Sequence, residues 1–167
     1  MVVWITGLPG AGKTTIGKRV NSEMSQLYNN TVLLDGDILR EVIGDNAKYS
    51  KKDRLKKSKQ YSRLCKMLSD QGLIVICCVV SMYDEVREWN RKNITDYFEI
   101  FINAPIETLV ERDKKGLYSS ALKGEVKDVI GINAKYERPK NSDLVIFNDS
   151  KAKLNTIVVE ILQSIDW

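Results

Sequence analysis

Residues Gly7-Leu8-Pro9-Gly10-Ala11-Gly12-Lys13-Thr14 fit the pattern G-x-x-x-x-G-K-[ST] and follow directly on the apolar run Val2-Val3-Trp4-Ile5. A strand feeding such a loop, with a helix leaving it, restricts the chain to one kind of unit. Its glycines let backbone N–H groups turn inward on phosphates, Lys13 reaches the β and γ phosphates, and the Thr14 hydroxyl can ligate Mg²⁺. Gly7, Gly10, Ala11, Gly12, Lys13, Thr14 and Thr15 are thus the candidate phosphate-binding residues. A helix opening at this point adds the positive end of its dipole.

Beyond the loop, apolar runs alternate with amphipathic stretches. Strands are expected at Val2–Thr6, Thr31–Leu34, Leu73–Val80, Phe98–Asn103 and Asp143–Phe147. Helices are expected at Lys13–Leu27, near Ile38–Ile43, and at Lys51–Gln71, Asp84–Asn93, Ile106–Asp113 and Lys153–Ile165. This alternation predicts an α/β fold, a parallel sheet with helices on both faces, in a single domain covering residues 1–167. Residues 114–141 break the rhythm: they mix Lys114, Lys115, Gly116, Gly124, Gly131 and Pro139 with one short helical pattern around Ala121–Lys127. Such a weakly structured stretch reads as a lid or binding loop.

Composition narrows the chemistry. The chain has no histidine, which removes the commonest general base and metal ligand and leaves carboxylates, lysine, tyrosine or thiol as proton acceptors. Cys65, Cys77 and Cys78 are odd in number, and two lie in an apolar strand, so they read as buried thiols of a reducing compartment. The chain lacks a run of about 18 apolar residues, and its first strand begins at Val2, so a cytoplasmic protein with no membrane partner is expected. Lys48, Lys51, Lys52, Arg54, Lys56, Lys57, Lys59, Arg63 and Lys66 form a basic cluster with few interleaved aromatic residues. That composition suits a solvated helix face and an anionic small substrate better than nucleic acid.

Leu34-Asp35-Gly36-Asp37 ends the second strand and places two carboxylates at the sheet edge where the phosphate loop opens. One suits a metal site, shared with Thr14, and the other suits accepting a proton from an attacking hydroxyl. Asp37 is also expected to cap the helix starting at Ile38. Arg40 and Arg54 can face the same cleft, where a guanidinium fork matches phosphate or sulfate oxygens. Arg112, Lys114 and Lys115 open the expected lid, where cations would offset transition-state charge.

These motifs resemble the adenylyl-sulfate kinase family. The matching residues are Gly7-Leu8-x-Gly10-Ala11-Gly12-Lys13-Thr14-Thr15, Leu34-Asp35-Gly36-Asp37-x-x-Arg40, Asp53-Arg54, Gly72-Leu73-Ile74-Val75, Ser81, Arg112-Asp113-x-Lys115-Gly116-Leu117-Tyr118, Gly131-Ile132 and Tyr136-Glu137-x-Pro139. The likeness runs from about Val2 to Asn148, and it implies a P-loop kinase that moves the ATP γ-phosphoryl group to the ribose 3′-hydroxyl of a nucleotide carrying a 5′ phosphosulfate. By position, it implies that Asp35 and Asp37 serve metal and base beside Lys13, that Arg40 and Arg54 grip the acceptor, and that Arg112 and Lys115 belong to the lid. Ser81 matches a serine beside the acceptor that is phosphorylated in some members. The resemblance also implies a homodimer, with ATP, Mg²⁺ and the nucleotide acceptor as ligands.

Departures from the family pattern gather on the acceptor side. Lys57 replaces an asparagine, Ser81-Met82-Tyr83-Asp84 replaces Ser-Pro-Tyr-Arg, and Ser119 and Ser120 replace two lysines. Val129 replaces the aromatic residue that stacks on the acceptor adenine, Ile130 replaces a threonine, and Tyr49 keeps the second stacking face. A lost stacking face removes roughly 1–3 kcal/mol of base binding. A branch resembling this family phosphorylates cytidine diphosphoramidate at the 3′-hydroxyl in capsular polysaccharide pathways, and the substitutions favour that acceptor. Adenylyl sulfate is the alternative acceptor. A non-catalytic nucleotide-binding protein is the alternative of another class, against which intact Lys13, Thr14, Asp35 and Asp37 argue.

Overall fold

The computed structural model describes residues 1–43, 50–113 and 116–167. Its strands are β1 (Val2–Gly7), β2 (Thr31–Asp35), β3 (Ile74–Val79), β4 (Tyr97–Asn103) and β5 (Leu144–Phe147). They form one parallel sheet in the order β2-β3-β1-β4-β5. The helices are α1 (Lys13–Leu27), α2 (Gly36–Val42), α3 (Lys51–Asp70), α4 (Asp84–Asn93), α5 (Ile106–Glu111), α6 (Leu117–Leu122) and α7 (Leu154–Gln163).

β1 and β3 are buried along their whole length, so their sequences read as continuous apolar runs. The two-residue period still sorts their side chains. Val3, Ile5, Ile76 and Cys78 pack with Ile16 and Val20 of α1 and Ile157 and Ile161 of α7. Val2, Trp4, Val75, Cys77 and Val79 pack on the opposite face with Leu39 of α2, Tyr61 and Cys65 of α3 and Val86 of α4. Gly17 keeps α1 close to the sheet: a Cβ there would lie 2.1 Å from Cys78 Sγ. All three cysteines are free and buried, and burial pushes the Cys78 thiol up to about 12.

The chain leaves β1 toward one face and β3 toward the other, although the two strands are neighbours. The crevice at their C-terminal ends is the switch point where open α/β sheets bind ligands. Thr6 Oγ1 donates to Ser81 O at 3.2 Å and ties β1 to the β3–α4 loop across this crevice.

Two expectations are corrected. α2 begins at Gly36, two residues before Ile38, because Asp35 and not Asp37 caps it: Asp35 Oδ1 accepts the Asp37 N–H at 2.9 Å. The short helix of the 114–141 stretch is Leu117–Leu122 and does not follow the Ala121–Lys127 pattern. The Asp113 carboxylate accepts the N–H groups of Tyr118 and Ser119 and fixes its start, and Gly124, at φ +77°, turns the chain out of it.

Candidate active site

α1 starts behind Gly12, with no side chain capping it and no acidic residue in its first turn, so its free N–H groups and positive dipole end face the loop. Gly12 has φ +98°, and a Cβ there would lie 2.8 Å from Asn148 Nδ2, so conformation and space both exclude a side chain. Lys13 is buried, and its Nζ donates to Leu8 O at 2.7 Å. Burial lowers its pKa to about 8, while Asp37 and Asp35 push back in the opposite direction. The ammonium group and both carboxylates of the Asp-Gly-Asp motif therefore share one electrostatic neighbourhood.

The carboxylates differ in setting. Asp35 is buried and uses both oxygens, one on the Asp37 N–H and the other accepting from Thr14 Oγ1 at 2.6 Å. Thr14 and Asp35 thus form a pair of hard oxygen donors beside the phosphate loop. The Asp37 side chain is 66% exposed, and its Oδ1 accepts from Arg40 Nη1 at 3.4 Å. Thr15, the last residue of the loop motif, is exposed in the first turn of α1.

Among the residues expected to bind the acceptor, Arg54 Nη2 donates to the carbonyl of Asp128, the residue before Val129. Asp128 itself adopts φ +61°. Val129 and Ile130 are buried in the core that contains Leu8 and Met82. Ser81 is fully buried, and its hydroxyl oxygen has no partner among the described residues. Lys57 lies half-buried on α3. Asp84, the position of reversed charge, pairs with the buried Arg87 one turn along α4. Tyr49 and Lys115 lie outside the described residues.

Arg112 reaches the β5–α7 loop, where Nη2 donates to Asn148 Oδ1 at 3.1 Å and to Ser150 Oγ at 2.6 Å. Asn148 Nδ2 in turn donates to Ala11 O at 2.9 Å, which links the phosphate loop, Arg112 and the end of β5. Tyr118 OH donates to Pro9 O at 2.7 Å, and this bond docks α6 on the same loop. Asn148 and Asp113 were not singled out for a role from sequence. Asp113 stands in the Arg-Asp-x-Lys-Gly-Leu-Tyr motif and was a visible signal; Asn148 has no local pattern, since its partners lie far away in the chain.

With this geometry established, comparison with known proteins decides the family. A model of the family Adenylylsulphate kinase matches residues 1–147. The chain belongs to the adenylylsulphate kinase family. It is 38% identical over 164 residues to the cytidine diphosphoramidate kinase of Campylobacter jejuni, covering 98% of this chain and 95% of that one. It is also 38% identical over 154 residues to the probable adenylyl-sulfate kinase of Aeropyrum pernix, covering 90% and 84%. Among solved structures, the Mycobacterium tuberculosis APS kinase CysC in complex with AMPPNP and APS superimposes with a TM-score of 0.88 at 31% identity, covering 98% of this chain and 95% of that one. The protein is a kinase of a nucleotide substrate, and the sheet and phosphate loop described above are those of this kinase family. No helix among the described residues is long and apolar enough to cross a membrane.

Proposed function

We propose that the protein transfers the γ-phosphoryl group of ATP to the ribose 3′-hydroxyl of cytidine diphosphoramidate, and that the product serves the modification of capsular polysaccharide. The observation that carries the transfer is the grouping of Lys13 with the carboxylates of Asp35 and Asp37 beside the phosphate loop. The acceptor oxygen attacks the γ phosphorus, the bond to the β–γ bridging oxygen breaks, and ADP leaves. Asp37 takes the hydroxyl proton. Lys13 and the N–H groups at the start of α1 hold the phosphate oxygens, so charge spread over them in a loose transition state meets fixed positive groups.

Thr14 and Asp35 fit Mg²⁺, because they offer adjacent hard oxygens and such an ion takes few protein ligands alongside phosphate. When bound, it would neutralise phosphate charge. Arg40 and Arg54 grip the acceptor tail, and residues 114–141, with Arg112 and Lys115, close as a lid. The lid reading predicts that protease cleavage within 114–141 slows on adding nucleotide; equal cleavage contradicts it. A homodimer is expected to give twice the 19.0 kDa chain mass in light scattering.

What supports the cytidine compound is Val129: a buried aliphatic side chain offers no stacking plane to a purine, and a smaller pyrimidine needs less of one. The Campylobacter jejuni relative, matched nearly end to end, supports the same choice. A second acceptor, adenylyl sulfate, is favoured by the Aeropyrum pernix relative and by the Mycobacterium tuberculosis neighbour. The test of the reaction is ³¹P NMR of the product formed with Mg-ATP and either acceptor. A new 3′-phosphomonoester with equimolar ADP is expected; ADP without a phosphorylated acceptor would contradict it.

A further inference from the structure

Glu137 stands in the Tyr136-Glu137-x-Pro139 motif, to which the phosphoryl transfer gives no role, and it touches three separate parts of the acceptor side. Its N–H donates to Met82 O at 2.9 Å, and its carbonyl accepts from Arg87 Nη2 at 3.0 Å. Its carboxylate accepts the Asp84 N–H at 2.7 Å through Oε2, while Oε1 lies 3.6 Å from Lys51 Nζ in the first turn of α3. The N-cap residue of α4, Tyr83, supplies no side-chain cap, so a carboxylate 53 positions along the chain caps that helix instead.

Two tethers consequently bracket residues 129–136. At one end Arg54 holds the Asp128 carbonyl, and at the other Glu137 holds the start of α4. Between them lie Val129 and Ile130, two of the positions at which this chain departs from its family, and Ser81 lies three residues before α4. Tyr83, the residue between Met82 and Asp84, feels the charges of both Arg54 and Glu137. The Lys51 contact is mostly exposed and contributes little, so the Asp84 N–H bond, a charged acceptor on a helix-terminal donor, dominates.

We propose that Glu137 is a positioning residue for the nucleotide acceptor: it clamps the 129–136 wall to the β3–α4 loop and so sets acceptor affinity without touching the ATP half of the site. The proposal rests on the kinase reading above. Two measurements separate their failures. In steady-state kinetics with cytidine diphosphoramidate and with adenylyl sulfate, Glu137→Ala is expected to raise the KM of the preferred acceptor by about tenfold, the size of one charge-assisted hydrogen bond. The ATP KM should stay within about twofold and Glu137→Gln, which still accepts the Asp84 N–H, within about threefold of the parent acceptor KM. Hydrogen exchange of the intact protein without substrates should show faster uptake across residues 128–136 in Glu137→Ala.

If the alanine variant does not fold, Glu137→Asp, which keeps the charge but falls a methylene short of Asp84, is expected to show the same split and the same faster uptake. An unchanged acceptor KM, an equal rise in both KM values, or unchanged uptake across 128–136 overturns the clamp. Absence of transfer by the parent protein to either acceptor overturns the kinase reading instead, and the exchange experiment still judges the clamp.

Discussion

Asp35 and Asp37 stand two residues apart and are held in opposite ways, and their substitutions should separate accordingly. Asp35→Ala removes the cap of α2 and the Thr14 partner, so it is expected to cost about 1 kcal/mol of stability, read as a lowered Tm, besides its effect on turnover. Asp37 makes no cap, and Asp37→Asn should lower kcat by about 10²–10⁴ with Tm and affinity for a non-hydrolysable ATP analogue unchanged. A variant that keeps parental kcat removes Asp37 from the proton-accepting role. Lys13 adds a pH test. With its pKa lowered to about 8 by burial, the free protein loses this ammonium as pH passes 8, so ATP-analogue affinity should weaken above that point and the effect should vanish in Lys13→Met. The same shift has a sign in stability: between about 8 and 10.5 the unfolded chain still holds the proton that the folded chain has lost, so stability from this group rises with pH across that window. Analogue affinity that is flat from about pH 7 to 9 contradicts the lowered value. Asp35 and Asp37 were legible as a pair because the motif is local. Which of them caps α2 was not, since that depends on where strand pairing stops: β2 stays paired with β3 through Asp35, which leaves that residue at the N-cap.

At the scale of elements, sequence periodicity located the strands to within a residue or two, because parallel strands buried on both faces read as unbroken apolar runs. The helices packed on them were legible for the complementary reason, one apolar stripe each. α6 was misplaced because its start is fixed by Asp113 across a loop and not by its own apolar spacing. Nor could periodicity find the bonds from Arg54 to Asp128, Asn148 to Ala11 or Tyr118 to Pro9, whose partners are 74, 137 and 109 positions apart. The packing of α1 on β3 makes its own prediction. Alanine for glycine inside a helix normally gains about 1 kcal/mol, but the 2.1 Å approach to Cys78 Sγ reverses the sign, so Gly17→Ala should lose about 1–3 kcal/mol. Adding Cys78→Ala should recover much of that loss. Equal Tm values for Gly17→Ala and the parent would show that α1 stands farther from the sheet.

Over the whole molecule, the donor half and the acceptor half of the site are built differently. The donor half is one continuous motif on the central strand, braced by Asn148 and Tyr118, and its residues could be named from sequence alone. The acceptor half proposed above draws on α2, α3, the β3–α4 loop and the 128–137 segment, so its residues were visible in sequence as family motifs while the contacts among α3, α4 and that segment were not. Most departures from the family pattern, Val129, Lys57 and Met82 among them, fall on that second half; Ser119 and Ser120 lie on α6, and the phosphate loop keeps the pattern. A donor site that keeps the family motif beside an altered acceptor wall is the physical content of the proposal. It is tested most directly by the ratio of kcat/KM for cytidine diphosphoramidate to that for adenylyl sulfate, with both acceptors competing in one Mg-ATP reaction. A ratio of at least about fivefold in favour of the cytidine compound is expected, the lower end of what losing one stacking face removes from a purine. A ratio near unity, or one favouring adenylyl sulfate, would contradict it.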